Sequence, residues 1–381
     1  MLETPRYIRS LHVIALLTAA ATFPLIFMGG LVTSHGAGMS VPDWPNSYGY
    51  NMFLFPVRMW TGGIFFEHTH RLMGSVVGML SIALAAWAWR AEIANFVGWL
   101  LRTLSRGEFG RWKLTSPCRR STQWLCLAVL GAVIFQGVLG GLRVVLVKLD
   151  LAIVHACVAQ AFFCLAALVA VVTSRWWIEA PDLSHSEDAI RGKRLIAACL
   201  FAVITIYLQL IVGATMRHYQ AGLAVPDVPL AYGKLIPQTD PASIAAYNQH
   251  RAWDLHLPAV TASQIWLHMG HRLGAILVTL IVLHIVTVVL LRHREHRVLL
   301  RPAILLGALL IAQITLGVLT VVKRKPADIA SAHVAIGALT LMTTFVLTIR
   351  AIRLFAKRQA TASVAPPAVR SSDPVGDLAM A

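Results

Sequence analysis

Four histidines occupy matched positions in the two halves of this sequence, and each lies near the end of an apolar stretch. His70 and His271 precede arginines, in the strings EHTHR and HMGHR, whereas His155 and His333 stand in later apolar stretches. An ionisable side chain inside a membrane usually faces the bundle interior. Two helices can present two imidazoles to one iron, as in a membrane b-type heme. The pattern therefore predicts two bis-histidine metal sites. The alternative is a set of interfacial histidines bonded to backbone.

The neighbours of these histidines suit a flat ligand with acidic edges. Arg71 and Arg272 follow two of them directly, and Lys323 and Arg324 lie in a later loop. Guanidinium groups bind carboxylates well, so these cations can meet heme propionates. Small residues follow the histidines and leave room for a macrocycle edge: Ala156, Ala159, Gly274, Ala335, Gly337 and Ala338.

One acidic residue breaks the match between the halves. Glu67 stands three residues before His70, whereas His268 stands three residues before His271. Residues three apart share one face of a helix. A carboxylate beside only one of two related sites indicates proton-coupled chemistry there, while the other site serves as an electron relay. The alternative is that Glu67 pairs with an arginine such as Arg71 or Arg58.

The elements that hold these residues are membrane helices. The chain is 57% hydrophobic and only 13% charged, whereas soluble domains carry about 25% charged residues. Runs of about 20 apolar residues are long enough to cross a bilayer. Eight such runs are present, at 11–33, 65–89, 121–142, 151–174, 194–215, 264–291, 302–322 and 330–355. The first run is too long, and lacks a small-residue cleavage site, to be a removable signal peptide.

The positive charge follows membrane topology rather than nucleic-acid binding. The net charge is +16, but lysines and arginines concentrate in the loops 91–120, 175–194 and 292–301, whereas the loop 34–64 holds only Arg58. Cytoplasmic loops carry such an excess. We therefore expect both termini in the cytoplasm of a cell inner membrane, with the histidines towards the outer side. None of the five cysteines falls in a predicted outer loop, so no disulfide is expected.

The sequence contains an internal repeat. AGMSVPDWPNSYG at 37–49 and AGLAVPDVPLAYG at 221–233 are identical at eight of thirteen positions, at an offset of 184. QGVLGGLRVV at 136–145 matches QITLGVLTVV at 313–322, at an offset of 177. The predicted fold is therefore an all-α integral membrane protein with eight transmembrane helices in two pseudo-symmetric four-helix bundles. The HR pairs differ by 201, so the first loop of the second half is about 17 residues longer.

The repeat also defines the domains. Residues 1–174 form the N-terminal bundle, 175–193 a linker and 194–358 the C-terminal bundle. The segment 91–113 mixes apolar and basic residues, which predicts an amphipathic helix on the cytoplasmic surface. The tail 359–381 is rich in Ala, Ser and Pro, which is typical of disorder. The roles of His35, His218 and His268 stay open.

The sequence resembles the heme A synthase family over about residues 10–355. The features that carry the resemblance are eight helices in two bundles, the EHTHR stretch, the second HR pair and the single histidines His155 and His333. The resemblance implies oxidation of heme O to heme A, in which the C8 methyl of the porphyrin becomes a formyl group through successive monooxygenations. Some family members have a cysteine pair in the first outer loop; this sequence has none at 34–64 and resembles the cysteine-free branch.

The resemblance also implies roles for residues and partners. His271 and His333 would ligate a heme b cofactor in the C-terminal bundle, with Arg272, Lys323 and Arg324 near its propionates. A second set would serve the substrate heme in the N-terminal bundle: His70 and His155 flanking it, Arg71 beside it and Glu67 as the essential carboxylate. Expected partners are heme O, the lipid bilayer, heme O synthase and an unidentified electron donor; a homo-oligomer is compatible with the sequence, and nucleic acid is not expected.

Three other functions remain open at this stage. A diheme b-type cytochrome for electron transfer explains four histidines but gives Glu67 no reason to differ from His268. A heme transporter is the second. A membrane diiron oxygenase is the third, suggested by the HxxH string at 268–271, although that class needs about eight clustered histidines.

The topology can be tested with reporter fusions. Fusions after residue 50 and after residue 110 should report opposite sides of the membrane, because the basic loop 91–120 is retained in the cytoplasm. A periplasm-active and a cytoplasm-active reporter at each site provide mutual controls. The same side for both fusions would contradict the predicted topology.

Overall fold

A computed structural model of the protein describes residues 7–106 and 118–356, most of which are helical. The predicted tail 359–381 and residues 107–113 of the predicted amphipathic segment lie outside these ranges. The helices are α1 Arg9–Ser34, α2 Gly62–Ala88, α3 Arg90–Arg106, α4 Arg120–Leu146, α5 Leu149–Val172, α6 Arg175–Glu179, α7 Ala189–His218, α8 Pro241–Trp253, α9 Ala262–Arg292, α10 Arg297–Val322 and α11 Ala327–Phe355.

Eight of these helices are long and apolar enough to cross a membrane: α1, α2, α4, α5, α7, α9, α10 and α11. They coincide with the eight predicted segments, so the all-α membrane fold is confirmed. Several of their threonine hydroxyl groups bond to the backbone of their own helix. Thr340, Thr344 and Thr348 on α11 each donate to the carbonyl four residues earlier, at 2.8 Å. A polar group inside a bilayer needs such a partner, because no water is present to supply one.

The helices pack as two repeated sets, α1–α2–α4–α5 and α7–α9–α10–α11. Across the boundary α1 packs against α11 and α5 against α7, so the first helix of each set meets the fourth helix of the other. The two fourth helices, α5 and α11, also touch. This exchange of partners is what a pseudo-twofold axis along the membrane normal produces. Close approach is possible where Gly30 faces Ser331, because a Cβ on Gly30 would lie only 3.0 Å from the serine Cβ.

The main apolar core of each set lies at the end of the helices opposite to the histidine pairs. In the first set Leu11, Leu84 and Cys126 are buried together, near the N-terminus of α1, the C-terminus of α2 and the N-terminus of α4. In the second set the matching cluster includes Leu195, Ile285, Leu306 and Phe355, at the corresponding end of its helices. The core ends therefore fix the helices, and the histidine ends are left to hold ligands.

The two repeated loops, which follow α1 and α7, fold alike. Asp43 accepts hydrogen bonds from the backbone N–H groups of Tyr48 and Gly49, and Tyr48 donates its hydroxyl to Ser40 O. In the second half Asp227 accepts from Tyr232 and Gly233. Burial opposes ionisation of Asp43, but the two N–H groups and the charge of Arg71 outweigh it and hold its pKa below the ordinary value. The identical VPD and YG positions are thus explained by one turn used twice.

The longer first loop of the second half forms α8. Asp240 caps this helix by accepting from Ser243 N, and Pro241 occupies its first turn, where no N–H is needed. Arg251 on α8 is buried and donates to Leu223 O and Pro258 O. The ring of Tyr247 stacks on Tyr232 at 3.8 Å. These contacts bind the insertion to the repeated turn.

Candidate heme sites

The structure brings the four predicted histidines together as two pairs. His70 on α2 faces His155 on α5 with ring centroids 6.4 Å apart and an interplanar angle of 79°. His271 on α9 faces His333 on α11, also at 6.4 Å, with an angle of 71°. In both halves the pair joins the second and fourth helices of its set. Among the residues that the structure describes, no three His, Cys, Asp or Glu side chains form a cluster able to hold a metal ion.

The pairs fit an iron held between two imidazoles. Two metal–nitrogen bonds of about 2 Å and two ring radii of roughly 1.2 Å place the centroids roughly 6.4 Å apart. The observed spacing matches this value in both pairs. In addition, Nδ1 of His70, His155 and His333 is buried while these residues are partly accessible, which leaves Nε2 as the ring nitrogen that an iron would meet. The donor set is therefore suited to bis-histidine heme rather than to a cluster of several metal ligands.

Each imidazole packs against a glycine of the neighbouring helix. A Cβ on any of these glycines would lie 3.1 Å from a histidine Cε1; the pairs are Gly29 with His70, Gly140 with His155, Gly213 with His271 and Gly317 with His333. The histidines come from the second and fourth helices of each set, and the glycines from the first and third. All four helices of a set therefore build one site.

Glutamines bond to two of the histidines, through the backbone of His155 and through both the backbone and the ring of His271. Gln136 Nε2 donates to His155 O at 2.7 Å. Gln209 Nε2 donates to His271 O at 2.7 Å and lies 3.1 Å from His271 Nδ1. Gln313, the repeat partner of Gln136, approaches His333 Nε2 at 3.5 Å. Such outer partners hold a ligating ring in one orientation. The repeat partner of Gln209 is Leu25, so the first half lacks this contact.

Glu67 and His268 occupy corresponding places. Glu67 is buried, accepts from Val41 N at 2.9 Å and pairs with Arg71 at 2.9 Å. In the second half His268 Nδ1 accepts from Val225 N at 3.2 Å. Both side chains therefore receive the N–H of the repeated valine, but only the first half places a carboxylate there. The pairing of Glu67 with Arg71, the alternative considered from the sequence, is present.

Of the predicted propionate-binding cations, Arg71 and Arg272 lie on α2 and α9, and Lys323 and Arg324 follow the end of α10. Arg71 donates to Val41 O, Asp43 O and Asn46 O as well as to Glu67. Arg272 donates in the same way to Val225 O, Asp227 O and Leu230 O. These arginines thus tie each loop to the helix that bears a histidine. Lys323 is exposed, and Arg324 donates to Leu255 O at 3.1 Å. Their role toward propionates stays a prediction.

The remaining histidines have separate surroundings. His35 stacks on Phe66 with centroids 4.0 Å apart. His68 is fully buried against Phe55 and Trp60, within 3.2 Å of Ser47 Oγ.

Sequence reasoning missed the glycine contacts and the glutamines, although the repeat carries a signal for most of them. Gly29 and Gly213 differ by 184, and Gly140 and Gly317 by 177, which are the offsets of the two repeated strings. The available signal for these contacts was a glycine repeated at the same offset as one of the two repeated strings.

Fold and site together define an all-α, multi-pass membrane protein with a closely spaced histidine pair in each of two repeated four-helix sets. The chain belongs to the COX15-CtaA family of cytochrome oxidase assembly proteins, whose model matches residues 12–346.

Relatives of known name agree with this family. The chain is 26% identical over 314 residues to the heme A synthase of Shouchella clausii, covering 82% of this chain and 87% of that protein. It is 29% identical over 261 residues to the heme A synthase of Halalkalibacterium halodurans, covering 68% and 76%. The heme A synthase of Shewanella oneidensis is 24% identical over 350 residues, covering 86% and 92%.

The glycine contacts can be tested by adding one methyl group. Gly317→Ala places a Cβ 3.1 Å from His333 Cε1, closer than the roughly 3.5–4.0 Å of a favourable carbon contact. We expect the ring to be displaced and the heme-to-protein ratio of the purified protein to fall. Gly307→Ala on the same helix is the control, since its nearest neighbour is Val286 Cγ1 at 3.8 Å; it should leave heme content unchanged. Equal heme content in both variants would refute the proposed role of this contact.

Proposed function

We propose that this protein is a heme A synthase, which oxidises the C8 methyl group of heme O to a formyl group. The observation that most directly supports this proposal is that two histidine pairs of equal spacing differ in their surroundings, because a buried carboxylate accompanies only the first. Two equivalent sites, of which only the first has a carboxylate, suit one substrate heme and one cofactor heme better than two electron relays. The named relatives, all heme A synthases, support the same function.

The stoichiometry of the overall reaction determines which reactants must reach the site. Conversion of a methyl to a formyl group by two monooxygenations consumes two O₂, four electrons and four protons and yields three waters. The electrons come from a donor outside this chain. Protons must therefore reach an apolar site at the outer end of the first set, and a positioned proton-transfer group typically contributes 10²–10⁴-fold to such a rate.

The two halves take different roles in this proposal. Residues 1–174 bind the substrate heme between His70 and His155, and residues 194–358 bind heme b between His271 and His333. The segment 175–193 links them. When bound, heme b supplies one-electron transfer. The contacts between α1 and α11 and between α5 and α7 hold the two sites in one rigid unit.

Glu67 is the proposed catalytic carboxylate. It lies one helical turn from His70, and its two oxygens are held by Val41 N and Arg71. These contacts fix the carboxylate without removing its charge, so it can take up a proton or stabilise positive charge that develops on the substrate carbon. Arg71 has a second function, since it also holds the loop 41–46 over the site.

The proposal includes a cellular setting. The protein lies in the cell inner membrane with both termini in the cytoplasm, so both histidine pairs lie toward the outer side. It receives heme O from the membrane, with heme O synthase as a contact, and releases heme A for terminal oxidases.

The cofactor assignment predicts an unequal response to histidine removal. His271→Ala or His333→Ala should abolish stable heme b, because loss of one axial ligand leaves the iron weakly held. His70→Ala should retain heme b. The heme content is measured from the reduced-minus-oxidised spectrum of purified protein, with His284→Ala, an exposed position on the same helix as His271, as the control. Loss of all heme b in His70→Ala, with retention in His271→Ala, would invert the assignment of the halves.

The catalytic assignment predicts that Glu67→Gln retains heme b, binds heme O and makes little or no heme A. Gln keeps an acceptor for Val41 N, so the loop should stay in place while the proton-accepting group is lost. Extracted pigments are separated by chromatography and compared with wild type. Glu92→Gln is the control, because Glu92 is also buried but lies on α3, where it accepts from Gln123.

Heme A at a near-normal level in Glu67→Gln would leave Glu67 as a structural partner of Arg71 and favour a diheme electron-transfer cytochrome. Glu67→Ala separates the two roles further. If Glu67→Ala lowers the heme content of the protein more than Glu67→Gln does, the additional loss of heme measures the contribution of the contact with Val41.

A further inference from the structure

Two arginines absent from the sequence-based assignments lie close to the histidine pairs. Arg143 on α4 is one turn beyond Gly140, the glycine that contacts His155. Arg217 on α7 is one turn beyond Gly213, which contacts His271. Both helices run from the inner to the outer side in the proposed topology, so each arginine lies about 4–6 Å outward of its glycine. The repeat partners of these arginines are Thr320 and Thr33, so each half has one such cation, from a different helix.

Both arginines have unused hydrogen-bond donors. Arg143 donates through Nη2 to Gly38 O at 2.8 Å. Arg217 donates through Nη2 to Gly30 O and Ser34 Oγ, and its Nε is buried without a partner among the described residues. Arg71 and Arg272 differ, because both of their terminal nitrogens already donate to loop carbonyls. Of these four arginines, therefore, only Arg143 and Arg217 have a terminal nitrogen without a hydrogen-bond partner among the described residues.

The surroundings of these two side chains are short of negative charge. None of the ion pairs within residues 7–106 and 118–356 includes Arg143 or Arg217. Glu67 acts electrostatically on Arg143, but its oxygens are held by Val41 and Arg71. His218 lies within electrostatic reach of both arginines, and Lys325 within reach of Arg217.

Partly buried cations grouped without matching anions are costly unless a bound anion compensates them. The group lies where the two sets meet, since Arg217 of the second set donates to Gly30 and Ser34 of the first. Lys325 belongs to the same region; burial, and then the charge of Arg217, hold its pKa below the ordinary value. An anionic ligand part is therefore expected at this position in both sites.

We propose that Arg143 binds a propionate of the substrate heme and Arg217 a propionate of heme b. This inference rests on the proposed function, because it takes heme as the occupant of both histidine pairs. It assigns the propionate edges of both hemes to the outer side, near the boundary between the sets. Arg71 and Arg272 then hold the loops, and the propionates are bound by the arginines that retain free donors. A carboxylate on a phospholipid headgroup, or its phosphate, is the other anion with the same chemistry.

The test compares hemin with hemin dimethyl ester, whose propionates carry no charge. Purified heme-depleted protein is titrated with each, and heme loss to apomyoglobin gives the dissociation rate. Wild type should hold hemin at least about tenfold more tightly than the ester, since removing one partner of a buried charge pair is costly. Arg217→Gln should lose that preference at the heme b site, and Arg143→Gln at the second site. Arg217→Lys and Arg143→Lys should restore part of it.

The reduction potential gives an independent readout for Arg217. Loss of a positive charge beside a propionate disfavours the reduced iron, so the heme b potential of Arg217→Gln should shift negative in a spectroelectrochemical titration. Arg350→Gln is the matched control. Arg350 is also partly buried on a membrane helix with an unpartnered Nε, but it lies 17 residues from His333 on α11, about 25 Å along the helix. It should change neither the potential nor the preference for hemin.

The outcomes separate this inference from the proposed function. Wild-type protein without a heme Soret band would overturn the proposed function itself. Normal heme binding with equal hemin-to-ester preference in wild type, Arg143→Gln and Arg217→Gln would overturn only the propionate assignment. Repeating the titrations in nanodiscs of phosphatidylcholine, with and without phosphatidylglycerol, tests the lipid. An effect of the arginines that depends on phosphatidylglycerol, with no effect on the ester preference, would assign them to lipid headgroups instead.

Discussion

The contact between an imidazole and a glycine on the adjacent helix is the constraint on which both sites depend. It occurs four times, and in each case a Cβ added to the glycine would approach the ring to the same 3.1 Å. Any larger residue would displace the ring from this position and so change the spacing of the two histidines. Because glycines on the first and third helices receive rings from the second and fourth, the spacing within each pair is fixed by helix packing rather than by one flexible side chain. The apolar clusters at the opposite ends of the helices make that packing rigid.

The internal repeat produces two sites with the same architecture, and a few differences in sequence distinguish them. Val41 and Val225 present the same backbone N–H to the helix below, where Glu67 receives it in one half and His268 in the other. Gln209 supports His271, whereas Leu25 stands at the matching position. The second site thus has more ring contacts, which supports our proposal that it holds the cofactor. The first has fewer ring contacts and a buried ion pair, in line with its proposed role as the substrate site.

The four arginines near the histidine pairs fall into two groups, according to whether both of their terminal nitrogens already donate hydrogen bonds. Arg71 and Arg272 use theirs to fasten the repeated loops, and this explains why both follow a histidine directly: the backbone carbonyls of the loop lie above that turn. Arg143 and Arg217 retain donors and lie where the halves meet. Position beside a histidine in sequence and position beside the ligand in space are therefore different properties of a basic residue in this fold.

The sequence alone determined the membrane class, the eight spans, the internal repeat and the four histidines, because hydrophobic length and repeated strings are local properties that survive without coordinates. It also showed that Glu67 has no counterpart. Only the tertiary structure decided which helices face each other, and therefore that each ring rests on Gly29, Gly140, Gly213 or Gly317. It likewise separated the loop-binding Arg71 from Arg143, since the direction of a long side chain depends on acceptors that come from distant parts of the chain. Contacts between helices far apart in sequence leave no periodic signal, and for that reason they required the fold.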